Sequence, residues 1–358
     1  MHNYLILAIN PGSTSTKLAI YRNLDCIHEK TIQHDAEIIA SMKKDVDKEI
    51  TYRKQLILDC LNDWKIYTNE IDCFVGRGGL LRPIKGGVYA INEKMIDDLK
   101  NSRYEYHASN LGALLAYELA IIATRPSFIV NPVVVDEMTS MAKLTGFKLI
   151  ERRSAFHALN QKAVAKRYAK LVDKKYEDLN LIVCHLGGGI SVGYHQHGLV
   201  VDVNNPLGGD GTFSPDRAGS IPSFPLIDLC FSGKYTKSEI KNMLVGHGGL
   251  YSYLQETNVK NLVDRILKGD SQAKFYVDGL IYKVAKEIGG NYFIANGGKI
   301  DALIITGGIA YSDYVINQLK QYIPKNINLQ VFPGENEMQA LVEGAYDALL
   351  NKEEVKKY

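Results

Sequence analysis

The chain has 358 residues, of which 46% are hydrophobic, so it can bury a substantial core and is long enough for two domains. Its 42 Lys and Arg against 40 Asp and Glu give a net charge of +2, which excludes the strong charge bias typical of proteins that bind nucleic acid or membrane. The five cysteines form no CxxC pair, so neither a disulfide framework nor a structural zinc site is expected. Without a signal-peptide pattern or an apolar run near the ~20 residues of a membrane span, we expect a cytoplasmic protein.

The first predicted element is a pair of strands joined by an unusually polar turn. Apolar runs at 4–9 and 18–21 flank the turn in AINPGSTSTKLAIYRN (8–23), which concentrates an amide, hydroxyls, a glycine and a lysine. Backbone N–H groups, hydroxyls and a cation in such a turn can surround phosphate oxygens. The candidate phosphate ligands are Gly12, Ser13, Ser15 and Lys17.

A similar strand, glycine turn and second strand recur about half a chain later, in LIVCHLGGGISVGYHQHG (181–198). This repeat indicates duplication of one domain. A third glycine turn, TGG, lies at 306–308. A single glycine turn is usually only a tight turn, but three of them, two in repeated units, favour phosphate binding. The chain contains no GxxxxGK[ST] motif, so it is not a P-loop protein.

Alternating strands and helices fill the rest of the chain, which predicts an α/β fold with mixed sheets flanked by helices. Buried strands are predicted in CFVGRGG (73–79), SFIVNPVVVDE (127–137) and DALIITGGIAYS (301–312). Helices with apolar residues at three-to-four spacing are predicted at 108–123, 156–171, 273–295 and 338–350. We expect an N-terminal domain at 1–155, a nucleotide-binding domain at 156–337, and a C-terminal helical segment, 338–358, that joins the first domain.

Two phosphate-binding hairpins on duplicated domains describe an actin-like, ribonuclease H-like phosphotransferase with its active site in the interdomain cleft. Within that class, NPGSTSTK, VGRGGLLRPIKGGVYAIN, HLGGGISVG and VFPGENEMQALVEGA resemble the signatures of the acetate and butyrate kinase family. The resemblance runs in order along nearly the whole chain. The segments FHALNQKA and FSPDRAGSIP resemble the butyrate kinase branch more than the acetate kinases.

The resemblance implies reversible transfer of a phosphoryl group from ATP to a short-chain fatty acid: butanoate + ATP = butanoyl phosphate + ADP. It implies Mg²⁺ as cofactor, a small carboxylic acid and an adenine nucleotide as the only ligands, and a homodimer or larger symmetric homo-oligomer. No general base is required, because a carboxylate is already ionised at pH 7, but two anions must be brought together. Cations and hydrogen-bond donors should therefore carry the catalysis.

Matched motif positions supply these groups. A lone arginine after a strand is usually a surface residue, and a lone histidine at a helix start is usually a cap, but the resemblance implies catalytic roles for Arg77, Arg217 and His157. Asn10 is expected to orient oxygens. The implied metal-binding candidates are Asp136, Ser13, Glu335 and Glu337. Surface carboxylates are an equal alternative for the last two.

Further positions are assigned by the same resemblance. The implied acid-binding residues, besides Arg77, are Gly79, Tyr106, His107, Phe156 and Pro206. The implied nucleotide- and phosphate-binding residues, besides those of the first turn, are His185, Gly187, Gly188, Gly189, Thr306, Gly307 and Gly308. Acetate kinases tend to carry a larger aliphatic residue at the position of Gly79, so its missing side chain predicts room for a C4 acid.

Three alternatives stay open. A branched-chain acid, isobutyrate or isovalerate, could replace butyrate, and the loop around Pro206, Gly208 and Thr212 departs from the expected pattern. A sugar or polyol kinase on the same fold would use Asp136 as a base toward a hydroxyl. An actin-like ATPase would hydrolyse nucleotide without any acceptor. Fold alone does not separate these functions.

Overall fold

The computed structural model describes residues 3–42, 45–295 and 297–358. The chain divides into two compact units: Met1–Val135 with Asn336–Tyr358 forms unit 1, and Asp136–Glu335 forms unit 2. Each unit contains a mixed β-sheet flanked by helices, so the predicted α/β class is confirmed. No helix within the described ranges has the length and apolar character needed to cross a membrane.

Strands and helices are numbered along the chain. The strands are β1 Leu5–Pro11, β2 Ser15–Arg22, β3 Asp25–Gln33, β4 Cys73–Gly76, β5 Val88–Ala90, β6 Ser127–Val130, β7 Asn180–Leu186, β8 Ile190–Gln196, β9 Leu199–Val203, β10 Ala302–Gly307, β11 Leu329–Pro333 and β12 Val355–Lys357. The helices are α1 Ala36–Met42, α2 Val46–Asp63, α3 Glu93–Lys100, α4 Asn110–Ala123, α5 Ser140–Lys143, α6 Ala158–Leu171, α7 Ser223–Cys230, α8 Lys237–Leu244, α9 Gly249–Leu254, α10 Val259–Leu267, α11 Ser271–Ile294, α12 Asp313–Lys320 and α13 Glu337–Leu349.

Unit 1 is built on a seven-stranded sheet in the order β12-β5-β6-β4-β1-β2-β3. β1 pairs antiparallel with β2 and parallel with β4, which pairs parallel with β6. Ile6, Leu7, Ala8 and Ile9 of β1 are fully buried, as expected for a central strand with both faces covered. Helices α4 and α13 pack against β1, β4 and β6, so the C-terminal segment belongs to unit 1.

Unit 2 repeats this plan in a five-stranded sheet in the order β11-β10-β7-β8-β9. β7 pairs antiparallel with β8 and parallel with β10, which pairs parallel with β11. The order and directions match those of β6-β4-β1-β2-β3, so the duplication predicted from the sequence repeat is present in the topology. In both sheets the polar or glycine-rich turn lies between the first and second strands of the repeat.

Two local features differ from the sequence-based expectations. The predicted strand 127–137 ends at Val130, because Asn131 adopts a positive φ of 39° and Pro132, which follows it, has no N–H to donate to a ladder. Asp136 therefore lies in a loop and does not end a strand. Residues 136–155, expected in the first domain, belong to unit 2. Arg152 anchors this segment there through Asp202 at 2.9 Å and Asp210 at 3.0 Å.

Candidate functional site

The turn between β1 and β2 is a short polar loop closed by the Gly12 N–H, which donates to the Ser15 carbonyl at 2.8 Å. Asn10 pairs with Lys17 across the hairpin, so both flank the turn. Ser13 is exposed and Ser15 is half-buried. The Lys17 ammonium lies 3.0 Å from the Glu29 carboxylate on β3. The predicted hydroxyls and amide are thus accessible at this turn, while Lys17 is paired on the neighbouring strand.

A buried arginine that sequence reasoning missed supports this turn from beneath. Arg53 of α2 is 1% exposed and donates to the carbonyls of Ser13 at 3.3 Å and Ser15 at 3.0 Å. It also donates to the Thr16 hydroxyl at 2.9 Å and to Glu49 Oε1 at 2.7 and 3.0 Å. Arg53 therefore satisfies the carbonyls of Ser13 and Ser15 and holds in place the turn that carries their hydroxyls.

Three predicted residues of unit 1 meet at the ends of its strands. Asn10 Nδ2 donates to Glu337 Oε2 at 2.7 Å, and the Arg77 guanidinium forms an ion pair with Glu337 Oε1. The Arg77 and Glu337 side chains are only 18% and 12% exposed. Arg77 follows β4, whereas Glu337 is the first residue of α13. The sequence left a surface carboxylate as an equal alternative for Glu337, yet this side chain is the acceptor that holds the other two.

Gly76 and Gly112 explain how Arg77 is fixed in place. A Cβ on Gly76 would clash with the Gly112 carbonyl, and a Cβ on Gly112 would lie 2.7 Å from the Arg77 nitrogen. These two glycines therefore let the first turn of α4 contact the end of β4 backbone to backbone. The Arg77 N–H also donates to the Ile9 carbonyl at 2.9 Å, which locks its main chain to β1.

The prediction that the missing side chain of Gly79 makes room for the acid is wrong. A Cβ on Gly79 would lie 2.5 Å from Asn110 Cα, so the missing side chain makes room for α4, not for acyl carbons. Asn110 fills the space and accepts a hydrogen bond from the Leu80 N–H at 2.8 Å. Tyr106 is 38% exposed and donates to Glu49 at 2.8 Å, while His107 Nδ1 lies 2.8 Å from the Ser109 hydroxyl.

In unit 2, the glycine turn between β7 and β8 borders a large cavity. Its volume is about 1020 Å³, large enough for a nucleotide. The lining residues come from the glycine turn, α10 and the segments that follow β10 and β11, and include Gly187, Gly188, Val259, Gly308, Tyr311 and Glu335. Gly187, Gly188 and Gly308, which were assigned to the nucleotide from the sequence, all line this cavity.

Thr306 and Gly307 do not line this cavity. Thr306 is fully buried, and its hydroxyl donates to the Gly334 carbonyl at 3.0 Å. Gly307 has a positive φ of 90°, and a Cβ there would lie 2.7 Å from the Leu186 carbonyl carbon. Both residues hold the end of β10 against β7 and β11, and so position Gly308 at the cavity wall.

Arg217 lies against the third glycine of the same turn. A Cβ on Gly189 would be 2.9 Å from Arg217 Cζ, so the guanidinium can occupy this position only because residue 189 has no side chain. Ser214 donates to the Gly188 carbonyl. This hydrogen bond connects the loop 213–217 (FSPDR), which contains Arg217, to the glycine turn. Arg217 Nε is buried without a hydrogen bond to any residue that the structure describes, and it lies 3.5 Å from Asp216. Burial lowers the pKa of Arg217, and Asp216 partly offsets that effect.

The two predicted histidines of unit 2 form a stacked pair. The rings of His157 and His185 are nearly parallel, with centroids 3.8 Å apart. His157 precedes α6, and its Nδ1 lies 2.8 Å from the Ser191 hydroxyl on β8. His185 Nδ1 lies 2.8 Å from Asn160 Oδ1, and its buried Nε2 lies 3.5 Å from the Glu335 carboxylate. Phe156 and Pro206, also expected to contact the acid, are both buried within unit 2.

The described residues contain no group of three or more His, Cys, Asp or Glu side chains placed to hold a metal ion. The Asp136 carboxylate accepts from Lys143 at 2.7 Å and from the Met138 N–H at 3.2 Å. Glu335 lines the nucleotide-sized cavity. Because Mg²⁺ in kinases needs only one or two carboxylates beside the substrate phosphates, Glu335 fits such an ion once nucleotide is bound, whereas Asp136 is paired with Lys143 and is not among the residues that line the cavity.

The sequence contained signals for the missed residues. Glu49 and Arg53 fall on the buried face of α2 with Ile50, Ile57 and Leu61, where a charged pair is unusual. Asn160 and Gln161 lie one helical turn after His157, on the side of α6 that faces the sheet. Buried polar groups need partners, so these positions indicate networks behind the two turns.

A sequence model of the acetokinase family matches residues 140–355. Solved structures similar to the chain include a propionate kinase from Francisella tularensis subsp. tularensis SCHU S4, at 20% identity over 95% of this chain and 98% of that one, with a TM-score of 0.71. The acetate kinase of Porphyromonas gingivalis is 16% identical over 97% and 100%, with a TM-score of 0.74. That of Entamoeba histolytica is 16% identical over 95% and 98%, with a TM-score of 0.72. At these identities the structural likeness concerns the fold.

Proposed function

Because the chain belongs to the acetokinase family, we propose that it transfers the γ-phosphoryl group of ATP reversibly to a short-chain carboxylic acid, with butyrate as the preferred acid. The reaction is butanoate + ATP = butanoyl phosphate + ADP. The fold shared with an acetate kinase and a propionate kinase supports the acid class. The preference for butyrate rests on the likeness of FHALNQKA and FSPDRAGSIP to the butyrate kinase branch.

The environment of Arg217 is the observation that carries the proposal. Its guanidinium is 20% exposed, replaces the missing side chain of Gly189, and leaves Nε without a hydrogen bond. A largely buried cation whose Nε has no hydrogen bond among the described residues is costly unless an anion completes it. Since it lies beside the glycine turn that lines the cavity, a phosphoryl group on a nucleotide is the anion that best fits these donors.

Unit 1 offers a second arginine of the kind that an anionic acceptor requires. Arg77 and Asn10 are oriented by Glu337 at the strand ends, close to the hydroxyls of the first turn. A guanidinium can bind a carboxylate through two parallel hydrogen bonds. We assign Arg77 to the substrate carboxylate and the transferring phosphoryl group, and Asn10 to the orientation of these oxygens. A neutral alcohol acceptor would not need this cation.

The nucleotide and its metal ion complete the proposal. We place the nucleotide in the cavity of unit 2, with its phosphates toward Gly187 and Gly188. Glu335 would hold Mg²⁺ or its waters, together with the phosphates, and Asp136 stays a candidate metal ligand that would have to exchange Lys143 for the ion. When bound, Mg²⁺ supplies neutralisation of phosphate charge. His157 would donate a hydrogen bond to a phosphoryl oxygen through the ring nitrogen that does not face Ser191.

Acyl hydroxamate formation tests the proposal. The protein is mixed with ATP, Mg²⁺, hydroxylamine and, separately, acetate, propionate, butyrate, isobutyrate, isovalerate or glycerol. Hydroxamate should form with the acids, most with butyrate. Highest yield with isobutyrate or isovalerate would replace butyrate by a branched acid. ADP release with glycerol, or without any acceptor, and no hydroxamate with any acid would refute the carboxylate kinase.

A matched arginine pair tests the observation that carries the proposal. Arg217→Ala should lower kcat by orders of magnitude and change ATP affinity little, because the guanidinium acts on charge that develops during transfer. Arg22→Ala removes an exposed arginine at the end of β2 and should keep wild-type rates. Near-wild-type kcat in Arg217→Ala would contradict the assignment.

A further inference from the structure

A chain of hydrogen bonds runs through the buried side of unit 2 and ends at His157. It links a phenol, a second imidazole, an amide and a hydroxyl, each at 2.7–2.9 Å from the next. Its members, in order, are Tyr176, His195, Gln161, Ser191 and His157. The side chains of His195, Gln161 and Ser191 are fully buried, so water does not complete their hydrogen bonds.

Gln161 fixes the direction of this chain. Its Nε2 donates to the Ser191 backbone carbonyl at 3.1 Å, and a carbonyl oxygen can only accept. Gln161 Nε2 also donates to the Ser191 hydroxyl oxygen at 2.8 Å. Its Oε1 must therefore face His195 Nε2, which lies at 2.9 Å and must be the donor. Gly193 makes this geometry possible, because a Cβ there would lie 2.5 Å from Gln161 Oε1.

His195 transmits the same direction from Tyr176. Burial, and secondarily the charge of Lys162, lower the pKa of His195 well below its usual value, so the ring is neutral. A neutral imidazole that donates through Nε2 accepts through Nδ1. The Tyr176 hydroxyl at 2.7 Å is then the donor to His195 Nδ1. Burial raises the pKa of Tyr176 well above its usual value, so its hydroxyl keeps the proton that it donates.

The last bond of the chain decides which nitrogen of His157 carries the proton. The Ser191 oxygen already accepts from Gln161, and its own hydrogen needs an acceptor in a fully buried site. His157 Nδ1 lies 2.8 Å away. When Ser191 donates to Nδ1, that nitrogen uses its lone pair, and the proton of a neutral His157 must sit on Nε2.

We propose that Ser191 and Gln161 are positioning residues that hold His157 as the Nε2–H tautomer, ready to donate a hydrogen bond to the transferring phosphoryl group. The catalytic part of this inference rests on the proposed function, whereas the tautomer does not. The neighbouring ring is set in the opposite way. Asn160 Nδ2 donates to the Glu335 carbonyl at 2.9 Å, so Asn160 Oδ1 accepts from His185 Nδ1–H. The stacked pair therefore presents different nitrogens as donors.

Nitrogen-15 NMR of the histidine side chains in the wild-type protein tests the tautomer directly. The His157 signals are assigned by their loss in His157→Gln. We expect Nε2 to be protonated and Nδ1 to have the shift of an unprotonated, hydrogen-bonded nitrogen. Ser191→Ala should move Nδ1 toward the shift of an unbonded nitrogen. Ser127→Ala, which alters a buried strand serine in unit 1, should leave both signals in place. A protonated Nδ1 in the wild-type protein would overturn the inference.

Kinetics test the positioning role separately. Loss of a partner that orients a metal-bound imidazole typically costs about 10- to 100-fold in activity, and by analogy we expect Ser191→Ala to lower kcat by a similar factor. The KM for ATP should stay unchanged, because the nucleotide cavity is not altered. Equal kcat in Ser191→Ala and Ser127→Ala would overturn the positioning role. Absence of phosphoryl transfer in the wild-type protein would instead refute the proposed function, and the NMR result would still decide the tautomer.

Discussion

Arg53 and Glu49 form a buried ion pair one helical turn apart on α2, directly beneath the turn between β1 and β2. Both side chains are 1% exposed, and the guanidinium also donates to two carbonyls of that turn. The Glu49 carboxylate uses its other oxygen to accept from Tyr106. The polar turn is therefore held by charge and hydrogen bonds from one helix, and the conformation of its Ser13 and Ser15 depends on the buried Arg53.

Arg53→Ala should be strongly destabilising, because it leaves the Glu49 charge buried without its partner. Breaking such a pair costs about 3 to 5 kcal/mol of unfolding free energy, measurable by urea denaturation. The adjacent Lys54 pairs with Glu118, with side chains 25% and 34% exposed. Lys54→Ala is the matched control and should cost at most about 1 kcal/mol. If the two variants lost equal amounts of unfolding free energy, the buried pair would contribute no more to stability than the exposed one.

His34 should make stability depend on pH. Burial, and then the nearby Arg53 charge, lower its pKa to about 4, and its Nε2 lies 2.8 Å from the Thr16 hydroxyl. Between the unfolded value of 6.5 and the folded value of about 4, the unfolded chain binds a proton that the folded chain does not. Stability should therefore fall as pH decreases through this window, by up to about 3 kcal/mol.

The pH effect of His34 is isolated by comparing variants. His34→Gln should be less sensitive than the wild-type protein between pH 6.5 and 4, as measured by urea denaturation at several pH values. His197→Gln, at an exposed histidine, should follow the wild-type curve. A His34→Gln curve parallel to the wild type would disprove the linkage.

Gly79→Ala should affect stability more than acid preference. Its new Cβ would lie 2.5 Å from Asn110 Cα, and overpacking of this kind costs about 1 to 3 kcal/mol. Gly279→Ala on α11 meets no atom within 4 Å and should instead stabilise the helix by about 0.5 to 1 kcal/mol. Thermal unfolding measures both changes. A Gly79→Ala protein of unchanged stability that had lost butyrate but kept acetate would restore the pocket argument.

Arg77→Ala should lower kcat by orders of magnitude and leave the KM for ATP nearly unchanged, since we assign this guanidinium to the acid and the transferring group. Steady-state kinetics with saturating acid and varied ATP separate the two constants. Arg125→Ala, at an exposed position between α4 and β6, should behave like the wild type. An effect of Arg77→Ala confined to the KM for ATP would place this arginine with the nucleotide instead.

Local patterns in the sequence predicted the elements that carry the glycine and hydroxyl groups. The hairpins of β1–β2 and β7–β8 follow from alternating apolar residues around polar turns, and α4, α6 and α11 follow from apolar spacing along each helix. These patterns are local, because the spacing of apolar residues within one strand or helix is enough to identify its buried face. The sequence repeat also predicted that the two sheets share one strand plan, although it did not predict which strands pair.

The features that the sequence did not predict depend on contacts between segments that are distant in the chain, or on local backbone geometry. The apolar run PVVV looks like a strand, but backbone geometry at Asn131 and Pro132 ends β6 and leaves Asp136 in a loop beside Lys143. Gly79 looks like free space, but Asn110, from the next helix, fills it. The bonds of Arg53 to the first turn and of Gln161 to β8 are likewise invisible to periodicity.

The most direct test of the central claim follows one oxygen atom from the acid to phosphate. The protein is given ATP, Mg²⁺, hydroxylamine and butyrate labelled with oxygen-18 in its carboxylate. Direct transfer forms a bond between a carboxylate oxygen and phosphorus, and hydroxylamine then attacks the acyl carbon. The released phosphate should therefore carry one oxygen-18 atom, seen by mass spectrometry. ADP formation with unlabelled phosphate would show that water is the acceptor and would contradict the carboxylate kinase.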